Sequence, residues 1–376
     1  MKRVLVIFGT RPEAIKLAPV IARLRAHPNL TPTVCFTGQH GREMVDPILD
    51  FFSIEPEIYL EAMRPNQSLG ALSAALFDDL APVFERVRPE AVIVQGDTTS
   101  SLIGALLGHY HQTAIGHIEA GLRTGALSAP FPEEGNRQII SRLANLHFAP
   151  TERAANVLRT ENLANDHIIV TGNTVIDALL YTVARNDAEG FNAITALWPR
   201  RKSDREYVLA TLHRREAFGE IIRDMMFALV DIANRHPDID VVLLSHPNPN
   251  VLTAIEEVAV SANHNLKVIP PQPYRTFVGL MSRARLILTD SGGVQEEAPS
   301  LDRPVLVLRD RTERTEGIDA GCLVKVGTDR AMIVEACENL LTDAKAWSRI
   351  ASAHNPYGDG NASSRICDNL AAHLRA

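Results

Sequence analysis

Two carboxylates stand where strand-like runs of this chain stop, and a third follows in a loop. Ala91-Val92-Ile93-Val94 ends at Gln95-Gly96-Asp97-Thr98-Thr99-Ser100, and Ala114-Ile115-Gly116-His117-Ile118 ends at Glu119-Ala120-Gly121-Leu122-Arg123. A loop holding Pro130 and Pro132 then delivers Glu133-Glu134-Gly135-Asn136-Arg137 ahead of a helix expected over Gln138–Ala144. Acids at successive strand ends share one crevice of an open α/β sheet, where they can move protons on a bound ligand. A structural reading competes: Asp97 could be a helix N-cap, and acids in a first helical turn are favoured by the dipole alone.

Cations gather at other strand ends. Arg11 and Lys16 flank the turn Gly9-Thr10-Arg11-Pro12-Glu13-Ala14-Ile15-Lys16, and Pro12 suits a first helical turn. His213-Arg214-Arg215-Glu216 follows the strand-like Tyr207–Leu212, and Arg309-Asp310-Arg311-Thr312-Glu313-Arg314 follows Pro304–Leu308. His213 beside two arginines suits proton transfer or phosphate contact, although a lone histidine is as readily structural. Leu286-Ile287-Leu288-Thr289 runs into Asp290-Ser291-Gly292-Gly293-Val294-Gln295-Glu296-Glu297-Ala298-Pro299. Unhindered N–H groups at Ser291, Gly292 and Gly293 can seat a phosphate, and an ordinary strand-to-helix turn has the same pattern.

These groups need a scaffold. A chain of 376 residues, 45% hydrophobic and 22% charged, has the length of two domains. Its net charge of −7 argues against a nucleic-acid surface, so any anion must be held by local cations. Cys35, Cys322, Cys337 and Cys367 are too scattered for a disulfide frame or a zinc site and are expected to pack in the core. No metal site is expected. No segment approaches the ~20 apolar residues of a membrane span, and the N-terminus enters a strand directly, so the expectation is cytoplasmic with no membrane partner.

Strand and helix signals alternate along the chain. Strands are expected at Val4–Phe8, Thr33–Phe36, near Ile58, Ala91–Val94, Ala114–Ile118 and Ile168–Val170. The polar stretch from Asp187 to Glu206, with Pro199-Arg200-Arg201-Lys202, reads as the connection between halves. Strands resume at Tyr207–Leu212, Val241–Ser245, Leu266–Ile269, Leu286–Thr289 and Pro304–Leu308, and the tail reads as a helix over Asn361–Leu374. The fold class is therefore α/β, with two doubly wound domains facing a central cleft. Gly-x-Gly-x-x-Gly behind a first strand and Gly-Lys-Ser/Thr are both absent, which demotes a nicotinamide dehydrogenase and a P-loop enzyme. A nucleoside diphosphate sugar fits better, with its diphosphate on Ser291–Gly293, its ribose at Glu297, and its sugar among the carboxylates.

Gly9–Lys16, Gly96-Asp97-Thr98, His117–Arg123, Pro132-Glu133-Glu134, His213–Glu216 and Asp290–Pro299 together resemble the bacterial non-hydrolysing UDP-N-acetylglucosamine 2-epimerases in order and content. The resemblance spans nearly the whole chain. It implies a glycosyltransferase-B-like pair of Rossmann-like domains, at 1–172 and 173–360, with a terminal helix near 361–376 packing back on the first. It implies a homodimer, no cofactor, and interconversion of UDP-N-acetylglucosamine and UDP-N-acetylmannosamine. Matched residue by residue, Arg11, Lys16, His213, Ser291, Gly292, Gly293 and Arg314 take UDP, chiefly its phosphates. Gln272 and Phe277 lie about the uracil and Glu297 at the ribose. Asp97, Glu119 and Glu133 are the acid/base set, with His213 assisting the leaving group.

The chemistry agrees with those residues. The C2 proton of this sugar has no adjacent carbonyl, so it becomes acidic only when UDP leaves C1 and that carbon gains cationic character. Removal of the proton gives a 2-acetamidoglucal beside UDP, and return of both on the opposite C2 face gives the epimer. The resemblance also implies a second, activating sugar-nucleotide site using Gln39, Glu134, Arg214 and His246. Here the chain departs from the family pattern: Gly41 interrupts Gln39-His40-Gly41-Arg42-Glu43-Met44, and Asn66 stands at a basic position. A retaining glycosyltransferase, a hydrolysing epimerase and a sugar-nucleotide sensor are the rival readings.

Overall fold

Short apolar runs, buried from both sides, form the strands of two all-parallel sheets, as expected when helices cover both faces. A computed structural model describes residues 1–198, 205–259 and 264–375. The described residues divide into two units. One comprises Met1–Ala178 and the chain from Tyr357 onward, and the other lies within Leu179–Pro356. The division falls inside a helix. Pro199-Arg200-Arg201-Lys202 of the expected connection lies outside the described residues.

The first unit holds strands β1 (Lys2–Phe8), β2 (Leu30–Phe36), β3 (Ile58–Tyr59), β4 (Ala91–Gln95), β5 (Ala114–Ile118), β6 (Leu146–Ala149) and β7 (Ile168–Val170). Between them run helices α1 (Arg11–Ala26), α2 (Arg42–Phe52), α3 (Leu69–Val87), α4 (Thr99–Tyr110), α5 (Glu133–Leu143) and α6 (Glu152–Thr160), and α7 (Thr174–Ala188) leads out. The sheet order is β3-β2-β1-β4-β5-β6-β7. The chain winds one way from β1 and the other way from β4, so their carboxyl ends flank the topological switch point, where such sheets bind ligands.

The second unit contains α8 (Ala193–Leu197), β8 (Tyr207–Thr211), α9 (Glu220–Arg235), β9 (Asp240–Leu244), α10 (Pro249–Ala259), β10 (Leu266–Ile269) and α11 (Tyr274–Arg283). It continues with β11 (Leu286–Thr289), α12 (Gly292–Glu297), β12 (Val305–Val307), α13 (Thr315–Asp319), β13 (Leu323–Lys325), α14 (Arg330–Thr342) and α15 (Ala344–Ala351). Its strand order, β10-β9-β8-β11-β12-β13, puts the switch point between β8 and β11.

The terminal helix α16 (Ala362–His373) belongs to the first unit and packs on α1, where Cys367 Sγ lies 3.9 Å from the Val20 carbonyl oxygen. Its start is held by Asp177, which accepts from Ser363 N–H and Oγ at 2.8 and 2.6 Å and from Ala362 N–H at 3.2 Å. A carboxylate there satisfies amides that the helix cannot. All four cysteines are buried, and burial pushes the Cys35 and Cys367 thiols up to about 12. Among the described residues no helix is long and apolar enough to cross a membrane.

Two local expectations change. The helix expected from Gln138 begins at Glu133, because Glu133 and Glu134 themselves form its first turn. Asp97 is not the cap of α4: Thr98 is, its hydroxyl accepting from Ser101 N–H at 3.1 Å. That leaves the Asp97 carboxylate for other partners. Strands β6 and β13, of four and three residues, were too short to signal themselves.

Candidate active site

The first unit's switch point is built on Glu13. This carboxylate is 2% exposed, and its Oε2 accepts from Gly9 N–H, Thr10 N–H and Thr10 Oγ1 at 3.1, 2.8 and 2.7 Å. Its Oε1 accepts from Thr98 Oγ1 and Ser101 Oγ at 2.8 and 2.9 Å. Glu13 therefore ties the turn after β1 to the turn after β4. Burial raises its pKa even against these five donors. The turns are also in close contact: a Cβ on Gly9 would lie 2.4 Å from both Ser100 Oγ and Thr37 Oγ1, so only glycine fits. Gln39 joins them by accepting from Ser100 N–H and Oγ at 3.1 and 2.8 Å.

On that frame stands Glu119, directly after β5. Lys16 Nζ donates to both of its oxygens, at 2.6 and 2.7 Å, and the Lys16 and Glu119 side chains are only 19% and 8% exposed. The Gln95 amide at the end of β4 donates to Oε2, and Asn173 Nδ2 donates to Oε1 at 3.3 Å. The backbone of Glu119 has φ +65°, a left-handed conformation uncommon for a side-chain-bearing residue. Such strain persists only where surrounding contacts over-determine it, and it clusters at functional sites.

Asp97 faces a different cation. Arg137 of α5 donates to its Oδ2 from Nε at 2.8 Å and approaches it with Nη2 at 2.6 Å, while Asn136 Nδ2 donates to the Asp97 carbonyl at 2.8 Å. Arg137 also reaches Glu134 Oε2 at 3.3 Å. Glu134 is fully buried and accepts from Thr124 N–H at 3.0 Å and Gln138 Nε2 at 3.1 Å. Burial opposes its charge, but these donors and Arg137 outweigh burial and lower its pKa. Glu133, the next residue, is half-buried, and its Oε2 is buried with no hydrogen-bond partner among the described residues. Arg11 opens α1 with its side chain exposed, and its N–H donates to His40 Nδ1 at 3.3 Å.

The second unit's switch point is cationic. His213 and Arg214 follow β8, and their N–H groups donate to Asp290 Oδ2, at the end of β11, at 2.7 and 2.8 Å. The His213 ring stacks on His246 at 5.5 Å between centroids. Ser291 is the N-cap of α12, and its side chain makes no capping bond within that helix. An added Cβ on Gly292 would lie 3.2 Å from the Arg314 guanidinium carbon and 3.4 Å from Arg214 Nη2. Two guanidinium groups thus border the glycine turn. Arg314 is oriented by Glu296, from Nε to Oε1 at 2.9 Å. Glu297 is buried within reach of the Tyr274 hydroxyl, at 3.5 Å, and its Oε1 lies 3.6 Å from a Cβ placed on Gly293. Gln272 follows β10 and donates to the Pro270 carbonyl at 2.8 Å, and Phe277 is half-buried on α11.

The family model for UDP-N-acetylglucosamine 2-epimerase matches residues 22–371. The chain is 47% identical to a probable UDP-N-acetylglucosamine 2-epimerase of Ralstonia nicotianae over 100% of both chains. It is 46% identical to the UDP-N-acetylglucosamine 2-epimerase of Escherichia coli K12 over 98% of each. The chain belongs to the UDP-N-acetylglucosamine 2-epimerase family. Its fold matches the crystal structure of the Neisseria meningitidis enzyme bound to UDP-GlcNAc with a TM-score of 0.88 at 43% identity, covering 98% of this chain and 99% of that one.

Within this epimerase fold, the sequence-derived residues collect at the two switch points. Asp97, Glu119, Lys16 and Gln39 lie at the first, with Glu133 and Glu134 on the adjoining α5. His213, Arg214, His246, Ser291, Gly292, Gly293 and Arg314 lie at the second. Lys16, which the resemblance assigns to UDP, is paired with Glu119. Sequence reading passed over the residues that hold the others: Glu13, Gln95, Arg137, Asn173 and Asp290. Only weak signals marked two of them, a polar residue closing the apolar run of β4 and an acid opening the turn after β11.

Proposed function

We propose that this chain interconverts UDP-N-acetylglucosamine and UDP-N-acetylmannosamine at C2 by eliminating UDP and adding it back. The observation that carries this reading is the division of charge between the two switch points. Carboxylates at Asp97 and Glu119, with Glu133 on the adjoining α5, suit removal and return of a proton. Arg214, Arg314 and the N–H groups of Ser291–Gly293 suit a diphosphate, whose negative charge grows as it leaves. The C1–O bond breaks with its electron pair going to the β-phosphate, and a carboxylate takes the C2 proton. The products of that half-reaction are 2-acetamidoglucal and UDP. Reversal on the other C2 face regenerates a UDP-sugar, so atoms and electrons balance without an added oxidant.

In this reading Arg11 and His213 assist the diphosphate, Gln272 and Phe277 flank the uracil, and Glu297 takes the ribose hydroxyls. Lys16 holds Glu119 in place and contributes positive charge at its switch point. The enzyme acts as a cytoplasmic homodimer. Gln39, Glu134, Arg214 and His246 form a second sugar-nucleotide site only if activation is observed: a lag with UDP-N-acetylmannosamine alone, abolished by traces of its epimer, supports that site.

The test is product formation. Purified protein with UDP-N-acetylglucosamine alone, followed by proton NMR, is expected to reach a mixture of the two UDP-sugars. Free N-acetylmannosamine with UDP would indicate a hydrolysing epimerase. No change without an acceptor, and sugar transfer with one, would indicate a glycosyltransferase.

A further inference from the structure

His213 and Asp290 come from strands β8 and β11, which pair in register up to Thr211 and Thr289 and then open at the switch point. Asp290 is 1% exposed. Its two oxygens have different surroundings. Oδ2 accepts the backbone N–H groups of His213 and Arg214 at 2.7 and 2.8 Å, while Oδ1 stands 2.9 Å from His213 Nδ1. The His213 side chain remains about one-third exposed, at 34%. On its other side the His246 ring is stacked, with its own Nδ1 accepting from Asn248 N–H at 3.2 Å. The neighbouring rings thus meet different groups at Nδ1: His246 Nδ1 meets a backbone N–H, and His213 Nδ1 meets the carboxylate oxygen Oδ1, which lies within reach at 2.9 Å but is not aligned as a hydrogen bond and is otherwise unpartnered among the described residues.

We infer that Asp290 is a positioning residue that fixes the tautomer and plane of His213, keeping one proton on Nδ1 so that Nε2 faces the ligand. Nε2 takes a second proton from solvent, gives it to the β-phosphate oxygen as UDP leaves and recovers it as UDP returns. This rests on the assignment of His213 to the departing diphosphate. A carboxylate suits this place because it only accepts: two backbone N–H groups donate to Oδ2, and the second oxygen is left to accept from His213 Nδ1. An asparagine has one accepting oxygen. Two short backbone N–H groups claim that oxygen at the Oδ2 position, which turns the amide NH₂ toward His213 Nδ1. That nitrogen must then become the acceptor, and the proton moves to Nε2. Asp290→Asn keeps shape and burial but inverts the tautomer.

The experiment is ¹⁵N NMR of the histidine ring nitrogens of the full chain, with His213 assigned by the loss of its signals in His213→Asn. The wild type is expected to show a protonated Nδ1 at neutral pH, and Asp290→Asn a protonated Nε2. Turnover of Asp290→Asn is expected to fall roughly 10²-fold with UDP affinity within about threefold, the pattern of a lost proton-transfer geometry rather than a lost binding site. In the His213→Asn background, Asp290→Asn is expected to cost little more. An unprotonated Nδ1 in the wild type, or a tautomer unchanged in Asp290→Asn, overturns the inference whatever happens to turnover. If Asp290→Asn does not fold, judged by circular dichroism, the wild-type spectrum decides alone. The spectra need no turnover, so a protein that fails to epimerise would refute the proposed function and leave this result standing.

Discussion

The two switch points have the same topology and opposite chemistry. In the first unit the carboxylates Asp97 and Glu119 are each held by a cation from a helix, Arg137 and Lys16 respectively. In the second the arrangement inverts: Arg314 is held by Glu296, and the His213 and Arg214 backbone is held by Asp290. Each unit thus keeps a reactive or binding group of one sign in place with a counter-charge of the other. The difference shows how one doubly wound scaffold is specialised. The fold supplies strand ends at a switch point, and on the proposed reading the sign of the group held there decides whether it handles protons or phosphates.

Four predictions test that contrast, beginning with the largest effect. Asp97→Asn, Glu119→Gln and Glu133→Gln are each expected to lower kcat by roughly 10²-fold or more while UDP binding, followed by calorimetry, changes little. Near-wild-type kcat in any one removes that residue from the acid/base set.

The second prediction concerns pH. His117 and His147 pair across β5 and β6, and burial lowers both pKa values to about 4. A base whose pKa is depressed on folding binds more protons when unfolded, so stability is full above ~6.5 and is lost as pH falls toward the folded pKa near 4. Replacing His147 with Phe is expected to remove roughly 3 kcal/mol of that pH-dependent loss, an order-of-magnitude figure from the size of the shift. Thermal melts at pH 7 and pH 4.5 for both proteins measure it. An unchanged difference between the two pH values contradicts the assignment.

Third, Glu13→Ala removes the acceptor of two backbone N–H groups and of the Thr10 hydroxyl at the first switch point, while Thr98 Oγ1 and Ser101 Oγ keep other acceptors, and is expected to cost about 2 kcal/mol in urea unfolding. A neutral outcome would mean that the frame does not depend on this bracket. Last, Lys16→Met and Arg314→Met separate the two units. The first is expected to lower kcat about tenfold with UDP affinity kept, and the second to weaken UDP binding about tenfold, because each is expected to act through the group it adjoins. Movement of the same parameter by both would collapse the distinction between the switch points.

Much of this was legible in sequence because parallel strands read as continuous apolar runs and their ends carry the polar residues. Asp97, Glu119 and Ser291–Gly293 were picked out by position in that way, and the resemblance gave them roles. What stayed hidden were the partners. Glu13 brackets Thr98 across 85 residues and Arg137 reaches Asp97 across 40, separations that no local pattern encodes. The start of α5 was misplaced because Pro130 and Pro132 draw the eye to a loop, although the acids after them begin the helix. Lys16 was assigned to UDP by resemblance to the family, and only the fold brings Glu119 to it.

The central claim is that a carboxylate removes the C2 proton while UDP is held for return. It is tested most directly by running the reaction in D₂O and following C2 by NMR. The account predicts deuterium at C2 in product UDP-sugar, with the UDP linkage intact. Epimerisation that retains the original C2 proton, or a substrate left unexchanged by active protein, would contradict it.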